Sequence, residues 1–391
     1  MPIKHTTTGQ PKTGESRRNN TTTRKDSCGS GGNLKKKNMK RLVLIGNGFD
    51  LSHKLKTSYK DFLYWYLKKI LDSFFSNLFY EGKLIELHSK SNIDGVPKME
   101  TLDDLISILK ILYSKRDSNL SIKFISHFFQ EIIEVFQHEK WVDLENHYFS
   151  YLLRMSNASS NLIEDLSKLN QEFEHLKTEL ENYLREVVIL DVPIQNPAKF
   201  DFLLEDIPHD QLIDSKPVYP TYIENIHVLN FNYTPTFNVY ANHLNTKKNT
   251  TINFIHGELN NHDNPIIFGF GDEHNEEYKK FENKKENQFF EHIKSFKYLR
   301  TSNYQDLIRF IDSNEFQVCI MGHSCGLSDR TMLKEIFEHE NCKSILVNYH
   351  KRGTEPNEND YTERTYEISR HFTNKGMMRK KVVSFDKSNP L

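Results

Sequence analysis

The turn that follows the first apolar run carries residue types suited to contact with a phosphate group. Four apolar residues (42–45) precede Gly46, Asn47 and Gly48, and Asp50 follows two residues later. Glycine can adopt positive φ and lets a ligand approach the backbone, and a helix after such a turn points N–H groups at an anion. The pattern predicts a nucleotide-binding turn. It lacks the third glycine of the dinucleotide fingerprint, so a purely geometric turn is the alternative.

Three further apolar runs, each a candidate strand, also end in small or polar residues. These residues are Asn232, His256 with Gly257, and Gly322 with His323 and Ser324. Asp329 begins the helix that follows the last of them. Because ligands bind at the carboxyl ends of parallel strands, we expect all of these side chains in one crevice. Read singly, each has a structural explanation: asparagine ends turns, a lone histidine is usually a hydrogen-bonded rim residue, and Gly-His-Ser can be only a turn.

The elements that would position these residues alternate between strand and helix in the C-terminal half. Candidate strands cover residues 226–232, 251–256, 265–269, 316–321, 343–349 and 381–385. Candidate helices cover 276–312 in two pieces, 327–339 and 361–372. Short strands alternating with helices predict an α/β fold with a mostly parallel sheet and helices on both faces.

A different pattern separates the first strand from this half. From Tyr59 the apolar residues recur every three or four positions, with Thr57 or Ser58 as the helix N-cap, and further helices are predicted at 102–113, 122–137 and 162–188. Residues 59–199 are therefore predicted to form a helical insertion or cap domain. Residues 39–58 together with 200–391 would form the nucleotide-binding domain.

Composition favours a globular protein with a polar surface. The 391 residues are 37% hydrophobic and 27% charged, with a formal net charge of -1. No apolar run reaches the roughly 18 residues that span a membrane, so we expect no membrane association. Four scattered cysteines without a C-x-x-C pair favour a reducing cytoplasm and exclude a structural zinc site of that kind. No metal is expected.

Residues 1–38 differ from the rest because they are basic and almost devoid of apolar side chains. Such a segment cannot bury enough surface to offset its chain entropy, so we expect it to be disordered. Met39 and Lys40 stand directly before the first strand, as a natural start would, which favours an expression remnant or an over-long gene start. The alternative is an electrostatic arm that binds nucleic acid or an acidic surface.

Motifs along the chain resemble those of the AbiH family, which is named for abortive infection by bacteriophage. In order they are LIGNGFDLSHKLKTSYKDF from Leu44, WVDLEN from Trp141, FNYT from Phe231, IHG from Ile255 and GHSCGLSD from Gly322. AbiH in turn resembles the sirtuin-like fold, a Rossmann-type NAD-binding domain. The resemblance implies an anti-phage protein with a Rossmann-like, sirtuin-like sheet and NAD as substrate or ligand.

Within this resemblance, Asn232 and His256 are the expected catalytic residues. The expected nucleotide-binding residues are Gly46, Asn47, Gly48, Asp50, Gly257, Gly322, His323, Ser324 and Asp329. The acidic residue expected two places after the strand-end asparagine is Thr234 here, and the zinc-binding module of the deacetylases is missing. The resemblance therefore favours a sirtuin-like NAD hydrolase over a protein deacetylase.

Hydrolysis of the nicotinamide–ribose bond suits these residue types. The leaving group is already cationic, so the protein must mainly orient the substrate and a water molecule. An amide such as Asn232 can donate and accept, and a neutral His256 can accept a proton at physiological pH. Two alternatives stay open: a sensor that binds NAD or an ADP-ribose relative without cleaving it, and a toxin that acts on nucleic acid. The acidic body argues against the latter.

The resemblance also implies partners and control. A toxic hydrolase must be kept silent, so a phage-derived trigger or a partner defence protein and a homo-oligomer are expected. Trp141, Asp143 and Glu145 fit an ordinary amphipathic helix, although a carboxylate from the cap could reach the cleft. The stretch from Tyr298 to Tyr304 is expected to shape the pocket, and His323 fits a solvent-facing position equally well.

Overall fold

The first strand begins at Lys37, within the segment predicted to be disordered. A computed structural model describes residues 37–391 except 92–94, 96, 115–118, 139–142, 159–160, 189–195 and 214–220. Residues 1–36 of the predicted tail lie outside the described residues, as does Trp141. The described residues belong to one compact unit.

The described residues form eight strands in two sheets. They are β1 (Lys37–Ile45), β2 (Phe79–Glu81), β3 (Ile85–Ser89), β4 (Leu120–Phe124), β5 (Thr221–Asn230), β6 (Thr250–Phe254), β7 (Phe316–Met321) and β8 (Cys342–Asn348). The larger sheet is parallel, with the order β6-β5-β1-β7-β8, and the smaller one is antiparallel, with the order β2-β3-β4. The α/β class and the mostly parallel sheet are thus confirmed.

Strand β1 lies at the centre of the larger sheet because its side chains fill cores on both faces. Leu42 and Leu44 pack in one core, whereas Val43 and Ile45 pack in the other. Successive side chains of a strand point to opposite faces, so a strand buried on both faces reads as a continuous apolar run. The sequence LVLI has this property, and all four residues are buried.

The register of the sheet brings the ends of its five strands to one level. Ile45 pairs with Asn230 and with Met321, and these pair in turn with Phe254 and Asn348. The residues that follow these ends therefore lie along one edge. Strands β5 and β7 flank β1 on opposite sides, so the strand order reverses there, and such a point opens a crevice for ligands.

Helices cover both faces and form an additional layer. The α-helices of the described residues are α1 (Asn47–Ser52), α2 (Tyr59–Asn77), α3 (Leu102–Ser114), α4 (His127–His138), α5 (Leu144–Ala158), α6 (Leu162–Tyr183), α7 (Asn238–Asn245), α8 (Tyr278–Lys284), α9 (Lys294–Lys297), α10 (Asn303–Ser313), α11 (Arg330–Glu338), α12 (Tyr361–Arg370) and α13 (Lys375–Lys381). Ser58 caps α2 by accepting a hydrogen bond from the Asp61 N–H, as one of the two predicted caps should. No helix of the described part of the chain combines the length and apolar character needed to cross a membrane.

The helical layer, which comprises α2 to α6 with the small sheet, packs onto the segment that follows β6. The ring of Phe173 stacks on Phe268 at 4.6 Å, and that of Phe149 stacks on Phe270 at 3.8 Å. Such aromatic pairs contribute about 0.5–1.5 kcal/mol each beyond their buried area. They fix the layer over the carboxyl edge of the larger sheet.

The helix predicted in two pieces at 276–312 is divided among α8, α9 and α10. Three predictions from short apolar runs are also wrong. Residues 265–269 are irregular, with 266–269 buried, and residues 381–385 contain an isolated bridge between Val382 and Ile345 instead of a strand. The predicted helix at 122–137 is strand β4 followed by α4. In each case a short apolar run suits more than one conformation, and tertiary packing decides between them.

Candidate active site

A cavity of about 760 Å³ lies at the carboxyl edge of the larger sheet, beneath the helical layer. Its volume is within the range of roughly 300–1,000 Å³ found for small-molecule sites. The predicted site residues that line it are Gly46, Asn47, Gly48, Asp50, Asn232, His256, Gly322, His323, Ser324 and Asp329. Gly257 is not among the lining residues. It has φ of +85°, and a Cβ there would lie 2.3 Å from the Pro265 carbonyl oxygen, so its glycine serves the backbone.

The two glycine turns interlock at the floor of the cavity. The Gly48 N–H donates to the Gly322 carbonyl at 2.8 Å, and the Gly46 N–H donates to that of Met321 at 3.2 Å. Gly322 has φ of +74°, and a Cβ there would meet the Phe49 nitrogen at 2.1 Å. The N–H groups of Gly46 and Gly48 therefore bond to the second turn and do not face a phosphate group. The glycines are required first for this close backbone contact.

Asn232 and Asp50 face each other across the end of β1. The Asn232 side-chain N–H₂ donates to the Gly46 carbonyl at 3.1 Å. Asp50 is 1% exposed, and its Oδ2 accepts a hydrogen bond from Thr234, which in turn accepts one from Thr236. Burial raises the pKa of Asp50 to about 6, although the neighbouring side chains of Thr234, Thr236 and Asn232 oppose the shift. Thr234, at the position where the family resemblance expected an acid, instead supports a carboxylate from the neighbouring strand end.

His256 is held by Asp329 in the buried wall of the cavity. Its Nε2 lies 3.1 Å from Asp329 Oδ1 and 3.1 Å from the Tyr298 hydroxyl. Burial and the nearby Lys294 lower the pKa of His256, so the ring is neutral. The contact with a carboxylate favours a proton on Nε2, and the Phe231 backbone carbonyl also accepts a hydrogen bond from the ring. The pair thus orients the imidazole in the way that a carboxylate orients a catalytic histidine.

A buried lysine links Asp329 to the helical layer. Lys294 is 0% exposed, and its Nζ lies 2.8 Å from Asp329 Oδ1 and 3.0 Å from Glu145 Oε2. Burial alone would raise the pKa of Asp329, but Lys294 and His256 hold it well below its ordinary value. Burial raises the pKa of Glu145 and that of its neighbour Asp143. Glu145 also accepts the Gly269 N–H at 2.9 Å.

His323 is buried beside the same aspartate. Its Nδ1 accepts the Cys325 N–H at 2.9 Å, and its Nε2 lies 3.7 Å from Asp329 Oδ2. Burial lowers the pKa of His323 to about 3, so it is neutral at physiological pH. The solvent-facing alternative for His323 is wrong. Asp329 therefore lies among two neutral imidazoles and one ammonium group.

Three residues in the cavity wall or buried behind it, Lys294, Asn348 and Arg364, carry no motif in the sequence. Lys294 is one of many lysines between 279 and 297, and nothing in its context marks it as buried. Asn348, the last residue of β8, donates to the Ile320 carbonyl at 3.2 Å, and the Arg364 guanidinium donates to that of Ser324 at 2.8 Å. Asn348 ends an apolar run, so the strand-end signal used for Asn232 could have identified it. The described residues contain no cluster of three or more His, Cys, Asp or Glu side chains arranged for a metal ion.

Comparison with known proteins identifies one family. The sequence model of the bacteriophage abortive infection AbiH family matches residues 42–350, which covers most of the chain and all of the predicted site residues. Among curated proteins, no match to the chain was found. The resemblance to AbiH is therefore confirmed, and the sirtuin-like resemblance stays a prediction.

Proposed function

The chain belongs to the bacteriophage abortive infection AbiH family, and we propose that it binds NAD in the cavity and hydrolyses the nicotinamide–ribose bond. Membership of the family implies a role in abortive infection, a defence against phage. The proposal concerns the chemistry behind that role. The observation that carries it is the convergence of Asn232, His256 and Asp329 on one cavity at the carboxyl edge of a parallel sheet.

The strand order supports a dinucleotide as the ligand. Taken along the chain, the five strands of the larger sheet have the spatial order 3-2-1-4-5. This is the order of Rossmann-type folds, which bind dinucleotides across the point where it reverses. The cavity extends to both sides of that point, from Asn232 and His256 on one side to Asn348 and Arg364 on the other. A ligand with two nucleoside ends suits such a site.

The residues near Asn232 support cleavage of an N-glycosidic bond. In the proposed reaction water attacks C1′ of the ribose, the C1′–N bond breaks, and nicotinamide, ADP-ribose and one proton are released. Asn232 would orient the water or the ribose, and neutral His256 would accept the proton. The anionic Asp329 would stabilise the resulting imidazolium. General-base catalysis of this kind typically accelerates a reaction about 10²–10⁴-fold.

Two variants test these roles. His256→Ala and Asn232→Ala are expected to lower the rate of nicotinamide release at least about 10²-fold while the protein stays folded. His262→Ala, which removes an exposed histidine outside the cavity, is the matched control and should keep the wild-type rate. Full activity in either cavity variant would remove that residue from the mechanism.

Binding measured alongside hydrolysis separates the competing functions. Calorimetry of wild-type protein with NAD, followed by chromatography of the nucleotide, shows whether it is bound and whether it stays intact. A bound and intact nucleotide would favour a nucleotide sensor over a hydrolase. Protein that neither binds nor cleaves NAD would contradict both.

A further inference from the structure

Asp50 presents an unused hydrogen-bond acceptor to the cavity. Its Oδ2 is bound by Thr234, but its Oδ1 is buried and has no hydrogen-bond partner among the described residues. Asp50 lines the cavity and is almost fully buried. A buried acceptor without a partner costs roughly 1–3 kcal/mol, so its persistence calls for a partner that the protein itself does not supply.

The direction of the surrounding hydrogen bonds fixes what that partner must be. The Thr236 hydroxyl donates to Thr234 at 3.1 Å, so the Thr234 hydrogen is directed at Asp50 Oδ2. The free Oδ1 is then available only to a donor. A pyrophosphate has no donor at neutral pH and carries negative charge, so contact between the ionised Asp50 and a pyrophosphate would be repulsive. Contact between Asp50 and the pyrophosphate of a dinucleotide therefore conflicts with the surroundings of Asp50.

Asn232 supplies the complementary group. Its side-chain nitrogen donates to the Gly46 carbonyl and lies beside Asp50, and it carries a second N–H. An acceptor next to a donor matches a primary carboxamide, which offers an N–H and a C=O side by side.

We propose that Asp50 is a specificity-determining residue that binds the carboxamide N–H of the nicotinamide group and selects against nucleotides whose ring carries a carboxylate. This inference rests on the proposed function, because it places the nicotinamide end of NAD beside Asn232 and Asp50. It adds a substrate class, namely pyridine nucleotides with a neutral hydrogen-bond donor on the ring.

Three nucleotides and one isosteric variant test the assignment. The nucleotides are NAD, its 3-acetylpyridine analogue, which lacks the N–H donor, and nicotinic acid adenine dinucleotide, which carries a carboxylate. In Asp50→Asn, Thr234 still requires an acceptor, so the new amide oxygen turns toward it and the N–H₂ faces the cavity. For each nucleotide the ratio of variant to wild-type kcat/KM cancels its intrinsic reactivity. If the nucleotides are bound but not cleaved, the ratio is taken from Kd.

The expected pattern is a switch in specificity. Asp50→Asn should lower kcat/KM for NAD by about 10- to 100-fold, in keeping with loss of a hydrogen bond to a charged group. It should change the value for the acetylpyridine analogue by less than about threefold, and it should raise the value for the acid analogue. Asp72→Asn, which removes an exposed carboxylate from α2, is the matched control and should leave all three ratios near one.

The possible outcomes distinguish the two claims. Equal losses for all three nucleotides would place Asp50 against a shared group such as a ribose hydroxyl and overturn the assignment. No change for any nucleotide would also overturn it. A wild-type protein that neither binds nor cleaves NAD would overturn both the proposed function and this inference. If Asp50→Asn does not fold, Thr234→Val tests the same contact, since it frees Oδ2 and should weaken the preference for NAD over the acid analogue.

Discussion

Replacing Lys294 with methionine tests the buried charge network that holds Asp329 and Glu145. Methionine has a similar volume but no charge, so the variant leaves two buried carboxylates without their cation, which lies 2.8 and 3.0 Å from them. Breaking a buried ion pair by removing one partner typically costs about 3–5 kcal/mol. We expect Lys294→Met to lower the free energy of unfolding by this amount, which reduces the folded-to-unfolded ratio by about two to three and a half orders of magnitude.

The loss should depend on pH in a defined direction. Without Lys294, burial raises the pKa values of both carboxyls above their unfolded values, so the folded state binds more protons than the unfolded state. Stability then falls as pH rises, and the difference between variant and wild type should shrink as pH is lowered from about 8 to 5. Urea denaturation across this range, followed by circular dichroism, measures it.

A matched control and a rescue complete the test. Lys280 is 53% exposed and pairs with Glu277, so Lys280→Met should lower the free energy of unfolding by less than about 0.5 kcal/mol. A triple variant that combines Lys294→Met with Glu145→Gln and Asp329→Asn also removes both negative charges. It should regain most of the stability that Lys294→Met loses. If Lys294→Met behaves like Lys280→Met, the network is not the electrostatic centre of the site and the reasoning fails.

Two further predictions follow from the backbone and from Asp50. Gly322→Ala should lower the free energy of unfolding by more than about 2 kcal/mol, because Gly322 has positive φ and a Cβ there would clash with Phe49. Gly95 also has positive φ, +78°, but lies in open space, so Gly95→Ala should cost only about 1 kcal/mol in the same denaturation assay. Similar costs for both would contradict the close-contact argument. Asp50→Asn should raise the free energy of unfolding by up to about 3 kcal/mol at pH 7.5. The pKa of Asp50 is about 6 in the folded protein and 3.8 as its ordinary value, so above pH 6 the ionised carboxyl destabilises the folded state in full. The gain should fall as pH drops toward 4, and a gain that is constant with pH would argue against a raised pKa.

Much of the site could be predicted because parallel strands impose a simple geometry. Apolar runs that end in Gly46, Asn232, His256 and Gly322 were expected to share one edge, and the register of the sheet places those ends at one level. In each strand the prediction needs only a few consecutive residues, namely an apolar run and the small or polar residue after it. The convergence follows from the general rule that parallel strands align their carboxyl ends.

The buried network could not be predicted in this way. Glu145, Lys294 and Asp329 are far apart in the sequence, and their pairing depends on how the helical layer packs over the sheet. Surface lysines and buried lysines have the same local sequence patterns, so only the tertiary fold distinguishes Lys294 from Lys280. The same limit explains the missed strands β2 to β4, whose short mixed sequences become strands only by pairing with one another.

The products of NAD turnover in water labelled with ¹⁸O test the central claim most directly. Purified wild-type protein is incubated with NAD, and the products are separated and weighed by mass spectrometry. We predict nicotinamide and ADP-ribose in equal amounts, with one ¹⁸O on C1′ of the ribose, and at least about 100-fold slower formation of both by His256→Ala. Cleavage at the pyrophosphate, or a protein that neither binds nor cleaves NAD, would contradict it.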